Sequence, residues 1–293
     1  MTQNFYEKKH KPCTKFKWQL KMKFQVTIEA QGLKRVSILR IGSPYALVKI
    51  CGGPREGEVL GETEPLEDCL DPRWSTAILV ETEATKMMPI RIEIIDSEDD
   101  KVMGEAEFEV ISVYHDEAHT QFHEPRGGTR IQVTVVESLK GSVSGMMSMQ
   151  FRMLDVKNVE SGILGLGRSD PFVELQKRVS KEGWDEEKWI VAYRTYHETD
   201  NLRPVFDEFR IPMENLCYCD KTWPLRLVCY DWQRNGKHRV IGLVETTVAE
   251  LMEKVSKNGN ADRSNALSIT KEGKTKSEGL IVMLKANIKI DDH

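Results

Sequence analysis

A set of short motifs occurs twice along this chain in the same order, and that repetition restricts it to one architectural unit built two times over. Ser43-Pro44-Tyr45 is echoed by Asp170-Pro171-Phe172, and Leu70-Asp71-Pro72-Arg73-Trp74 by Leu202-Arg203-Pro204-Val205-Phe206. Further on, Ile94-Ile95-Asp96 is echoed by Cys229-Tyr230-Asp231, and Gly104 by Gly242. The separation between matched positions grows slowly along the chain, as it would if the second copy carried small insertions.

The repeated unit is made of strands. Phe16, Trp18, Leu20, Met22, Phe24, Val26 and Ile28 occupy alternate positions, with Lys15, Lys17, Lys21 and Lys23 between them. A period of two suits a strand and contradicts a helix, and it predicts a lysine face turned to water. Leu225, Leu227 and Cys229 alternate in the same way with Arg226, Val228 and Tyr230. Strands over 129–136 and 279–284 are expected to close the first and second units, and 244–255 is expected to form a short amphipathic helix. Many short strands between turn signals give an all-β fold class: two antiparallel β-sandwiches in tandem. The expected boundaries are a basic tail over 1–14, a first sandwich over 15–138, a flexible Gly/Ser joint over 139–145 and a second sandwich over 146–290.

Charge and composition narrow the function. Seven lysines fall in the first 24 residues against Glu7 alone, although the 293-residue chain is net −4, so the remainder is acidic. A basic arm on an acidic body, without a reader motif, argues against nucleic acid and leaves anionic lipid as a partner. No apolar run approaches the roughly 18 residues that would span a bilayer, and the N-terminus lacks the apolar centre of a signal peptide. The expectation is a cytosolic protein that touches the plasma membrane from its side, with its six cysteines reduced. No phosphate loop follows a strand and no nucleophile motif with a base is visible, so no enzyme is expected. His115, His119 and His123 would line up as metal ligands on a helix, but they precede Pro125 in what reads as an exposed connection.

Side-chain oxygens gather where strands turn: Asp170 before one strand, and Asp231, Gln233 and Asn235 after another. Ca²⁺ takes about 6 to 8 oxygen ligands, so such turns suit a hard cation. Around them stand SDPF (169–172), YRTYHETDNLRPVFDEF (193–209), LCYCDKTWPLRLVCYDW (216–232) and the glycine of RVIG, Gly242. In these residues the second half resembles the second C2 domain of the copine family. Copines carry two C2 domains followed by a von Willebrand type A domain, and the resemblance covers the C2 part alone. It implies phospholipid binding governed by Ca²⁺, held by aspartates on two loops at one end of each sandwich.

This chain departs from that pattern. Gln233, Asn235 and Arg239 stand at third-loop acid positions, and the remaining first-loop acid has no clear counterpart among Asn158, Glu160 and Leu164. Arg239 is expected to oppose Ca²⁺ and to pair with the remaining aspartates. In the first copy Ser37 and Ser43 stand at the first-loop acid positions, while Asp96, Glu98 and Asp100 could attract a cation loosely. Ca²⁺ at low affinity is therefore the only cofactor expected. Membrane contact is expected from apolar tips, Ile38, Leu39 and Ile41 in one copy and Ile163, Leu164 and Leu166 in the other. A basic cluster of Lys177, Arg178, Lys181, Lys188 and Arg194 would face anionic headgroups. The sequence thus favours a peripheral binder of anionic phospholipid with calcium dependence weak or lost. Its rivals are calcium-dependent phospholipid binding as in copines and a protein-protein scaffold without lipid affinity.

Overall fold

A computed structural model describes residues 21–83, 86–116, 118–124, 128–138, 141–160, 167–179, 188–234, 236–257 and 263–290. The first half holds β1 (Lys21–Gln31), β2 (Pro44–Ile50), β3 (Val59–Glu62), β4 (Ile78–Glu83), β5 (Pro89–Asp96), β6 (Val102–Glu109), β7 (Thr120–His123) and β8 (Arg130–Glu137). They form two antiparallel layers, β4-β1-β8-β7 and β3-β2-β5-β6. The second half holds β9 (Met146–Leu154), β10 (Pro171–Val179), β11 (Lys188–Arg194), β12 (Phe209–Pro212), β13 (Leu225–Asp231), β14 (Arg239–Thr246), β15 (Leu267–Thr270) and β16 (Ser277–Lys289). Their order is β11-β10-β13-β14-β15-β16-β9-β12, with β14 and β15 joined only at Leu243 and Thr270. Divided at that join, the sheet is the same pair of four-stranded layers. Pro44 faces Asp96 across β2 and β5, and Pro171 faces Asp231 across β10 and β13, so the repeated motifs occupy one register.

Alternation explains the cores. Phe24, Val26 and Ile28 of β1 meet Ile90, Ile92 and Ile94 of β5 and Ile131, Val133 and Val135 of β8. Trp74 is buried beside them and donates its indole N–H to the Pro44 carbonyl at 3.1 Å. Its counterpart Phe206 packs on Phe151, ring centres 5.3 Å apart, in a core that also takes Met147, Met149 and Met153. Leu225, Leu227 and Cys229 point into the same core, as their spacing requires.

Several expectations are corrected. The helix expected over 244–255 is shorter, Val248–Glu253: β14 runs to Thr246, and the Thr247 hydroxyl then accepts from the Glu250 N–H at 3.1 Å and starts the helix there. The exposed connection expected at the histidines is in part ordered: α1 (Val110–His115) ends at the first, His119 is buried with a positive φ of 47° and bonds the Tyr114 carbonyl, and His123 lies on β7. Leu139 and Lys140 of the expected joint lie outside the described residues. The part that is described is not a loose tether, because Gly141 and Val143 donate to the Tyr218 and Cys219 carbonyls, each at 3.1 Å. Gly145, with φ 121°, passes so near that a Cβ there would stand 2.2 Å from the Lys289 carbonyl oxygen.

The largest correction concerns the outward face of β1. Residues 15–20 lie outside the described residues, but at Lys23 and Gln25 this face is covered by the second sandwich. Lys23 pairs with Glu214 at 2.9 Å, and the Gln25 amide donates to the Glu214 carbonyl at 2.9 Å. Val136 closes a small apolar cluster with Val179, Ile190 and Tyr218 of the other half. Glu174 of β10, 2% exposed, sits between Arg194 of its own sandwich and Arg73 of the first, at 3.3 Å. Burial pushes the Glu174 carboxyl up, but the two guanidinium groups outweigh it and hold it below its ordinary value.

Removing one partner of a buried ion pair typically costs about 3–5 kcal/mol, because the other charge is left without compensation. Glu174→Gln is therefore expected to lower the thermal midpoint at neutral pH. A carboxyl whose folded pKa is depressed stabilises the fold above its unfolded pKa of about 4.3, and this contribution is lost as pH falls through the folded value. Melting curves from neutral to acid pH should show the wild-type advantage over Glu174→Gln shrinking over that range. An advantage that persists unchanged in acid would refute this account.

Candidate functional site

The loop ends of the two sandwiches carry the oxygen-rich turns. In each copy the aspartate that ends the fifth strand, Asp96 of β5 and Asp231 of β13, has a structural duty. Asp96 accepts the Ser43 N–H at 2.7 Å, and Asp231 accepts the Asp170 N–H at 2.9 Å. Both aspartates are fully buried. Ser43 and Asp170 are matched positions, so the same bond ties the third loop to the first in both units.

In the first sandwich the site contains its own cation. The Arg40 guanidinium lies 2.8 Å from Asp96, 3.0 Å from Glu98 and 2.7 Å from Asp99. Burial pushes the Asp96 carboxyl up, yet bonds from Arg40, from the Ser43 N–H and from Asp99 hold it at about 2. Lys101 adds a second clasp by donating to the Val36 carbonyl at 2.7 Å. Asp99 completes this cluster in place of the expected Asp100, whose positive φ of 56° carries it through the turn while its N–H bonds the Asp96 carbonyl at 3.1 Å. The sequence signal for this arrangement was Arg40, a cation in the loop facing an acidic hairpin. These carboxylates do not fit Ca²⁺, because a guanidinium already holds their charge.

The second sandwich is built differently. Asp231 accepts from the Gln233 amide at 2.8 Å, which also reaches Glu160 at 3.3 Å, and Asp170 accepts the Asp200 N–H at 2.7 Å. Burial, with Glu160 and Asp170 nearby, raises the Asp231 carboxyl above its ordinary value against the bonds it accepts. Arg239 does not pair with these aspartates as expected; its guanidinium donates to the Val159 carbonyl at 3.3 Å on the exposed flank. Asn158 is a loop staple, accepting the Ser169 and Glu160 N–H groups, each at 3.1 Å. Asn235, Ile163, Leu164, Leu166 and Lys181 lie outside the described residues. Among the described residues no group of three or more His, Cys, Asp or Glu side chains is set to hold a metal ion.

The tip of the first loop follows from one hydroxyl. Ser37 Oγ accepts the Leu39 N–H at 3.3 Å and the Arg40 N–H at 3.1 Å, closing a turn that thrusts two aliphatic side chains outward. Ile38 is 94% and Leu39 96% exposed. Ile41, expected with them, is instead buried with Val36 beneath the turn.

The basic cluster is largely spent on the contact between sandwiches. Lys177 is 1% exposed; its ammonium donates to the Gln25 side chain and to the Asn215 carbonyl at 2.6 Å, above the Tyr218 ring. Burial pulls it down to about 7. Lys188 donates to Thr120 and Thr134 of the first sandwich, and Arg194 to Glu174 and to the Arg73 carbonyl at 3.0 Å. A headgroup cannot reach Lys177 in this arrangement, and Arg194 and Lys188 have protein partners. Arg178, the remaining described member of the cluster, is half-buried near the end of the same strand.

A family model described as C2 domain matches residues 22–125 and again 147–262. Copine-A of Dictyostelium discoideum is 24% identical over 201 residues, 67% of this chain and 32% of that protein. The chain thus spans about a third of the length of that curated relative. The solved structure of BON1-C2B is 20% identical, covering 50% of this chain and 93% of its own, with a TM-score of 0.40. That of the two tandem C2 domains of Extended-Synaptotagmin 2 is 11% identical, covering 99% of each chain, with a TM-score of 0.34.

If Arg40 is the cation that holds the first site, Asp96 should stay ionised down to about pH 2 in the intact protein. In Arg40→Ala its titration should move up, since burial then acts with less opposition. Carboxyl carbon NMR of both proteins checks this, and an unchanged Asp96 midpoint would assign the depression to the backbone bonds alone.

Proposed function

The chain belongs to the C2 domain family, with two such domains in tandem, and from that premise we propose that it is a peripheral membrane protein binding anionic phospholipid without a need for Ca²⁺. It is a binding protein rather than an enzyme, and it works at the cytoplasmic face of the plasma membrane. The observation that carries this reading is the first loop, where Ile38 and Leu39 stand almost fully exposed on a turn preceded by Lys34 and Arg35. Between Gly32 and Ser43 that loop contains no acid. No helix among the described residues is long and apolar enough to cross a membrane, so contact by loop is the mode this chain offers.

The magnitudes are adequate. Fully burying a leucine or isoleucine side chain contributes roughly 1.5–3 kcal/mol, and each basic residue close to an anionic surface about 1 kcal/mol. The strand face of the second domain adds little to this sum, because Lys177, Lys188 and Arg194 point into the neighbouring domain. Calcium independence is supported by Arg40 among the carboxylates of the first domain, and by a second domain whose third loop carries glutamine and arginine where acids would hold a divalent ion.

Sedimentation with phosphatidylserine vesicles tests the reading. The full chain should pellet equally in Ca²⁺ and in chelator, release at high salt, and lose most of its binding on Ile38→Asp with Leu39→Asp. Pelleting only with Ca²⁺ would restore the behaviour implied by the copine resemblance. No pelleting in either condition would leave a protein-protein scaffold.

A further inference from the structure

The two sandwiches lie side by side and point the same way. At the loop ends, Arg234 in the third loop of the second domain meets Asp68 of the first at 3.6 Å. Beside it Gly236 runs so close to Cys69 that a Cβ on the glycine would stand 3.5 Å from the thiol sulfur. Cys69 in turn donates its N–H to the Gly42 carbonyl at 3.2 Å, at the base of the turn that bears Ile38 and Leu39. At the opposite ends Lys23, at the start of β1, meets Glu214, just past β12, and Ser138 donates to the same carboxylate. Loop end touches loop end and far end touches far end, which fixes the two long axes as parallel.

We infer that the two domains form one body that presents both loop ends to a single lipid surface at the same time. This rests on the lipid-binding reading above and extends it from one loop to two domains. The contact is fit to hold that orientation. Gln25 and Gln176 are fully buried, and Glu174 and Lys177 nearly so. Three of them bond across the boundary, from Gln25 to the Glu214 carbonyl, from Arg73 to Glu174 and from Lys177 to Gln25, while Gln176 braces Glu174 from within the second domain. An apolar seam tolerates sliding, whereas a shift here would leave buried charges without partners. The described part of the connection is fastened to the second domain through Gly141 and Val143, which removes slack. The partner that fits is a lipid surface, since the protruding aliphatic pair of the first domain stands beside Lys34 and Arg35, and the neighbouring third loop of the second adds Lys237 and Arg239. Two sites held in a fixed relation bind one surface with little further ordering cost, so the second contact strengthens the first.

The test uses the full chain with Cys13→Ser and Cys51→Ser, and a polarity-sensitive fluorophore on Leu39→Cys or on Lys237→Cys. Vesicles of phosphatidylcholine and phosphatidylserine with brominated acyl chains should quench both labels. Quenching at Leu39→Cys alone would overturn the inference while leaving the lipid-binding reading intact, and quenching at neither would remove both. Separately, Lys23→Glu combined with Arg73→Glu places like charges opposite Glu214 and Glu174 while leaving each core untouched. With strand content unchanged by circular dichroism, this variant should bind the same vesicles about tenfold more weakly. Binding equal to the parent's would show that the fixed orientation contributes nothing and would overturn the inference.

Discussion

The contact between the two sandwiches centres on a carboxylate buried where they meet. Glu174 is almost without solvent and has Arg194 on one side and Arg73 on the other. A charge taken out of water must be compensated, and here half the compensation comes from the other domain. The two sandwiches are therefore joined by electrostatic necessity as well as by chain connection. The same contact draws in Lys177, Lys188 and Gln25, and so converts a basic strand face into an internal seam.

That seam changes where the molecule can act. With the strand face closed, Lys177 is withdrawn from the surface, and the loop ends that remain open differ in chemistry between domains. In the first, a guanidinium tethered to the chain occupies the carboxylates that the fold would otherwise offer to a diffusible cation. Such a cation is covalently part of the chain, so a chelator of divalent ions does not remove it. In the second, the carboxylates are engaged by backbone N–H groups and by Gln233, which hold the loop in shape without supplying net positive charge.

Asp96 and Asp231 illustrate how an aspartate at a position that suits a metal ligand can have a structural duty instead. Each accepts the N–H that precedes the first proline of the matching strand and so ties two loops together. Replacing either with a residue that cannot accept would leave a buried N–H unpaired, at about 1–3 kcal/mol. Their presence therefore says little about whether an ion binds.

The sequence by itself determined the unit and its repetition. Period-two alternation in Phe24 to Ile28 and Leu225 to Cys229 can be buried only by a sheet, and the ordered motifs made the second sandwich a copy of the first in register as well as in content. It also marked the tip at Ile38 and Leu39, because aliphatic side chains between basic neighbours in a turn have no core within reach. Other matters only the tertiary structure decided. That Arg40 reaches Asp99, that Ile41 folds beneath its turn, that Arg239 turns away from the aspartates and that Lys177 faces Gln25 rather than lipid all depend on contacts between distant segments. Local pattern specifies which face of a strand is apolar, but a polar face reads the same whether water or another domain covers it. The difference is made by long-range geometry, which brings Arg73 to Glu174 across the boundary between two sandwiches that the sequence describes only one at a time.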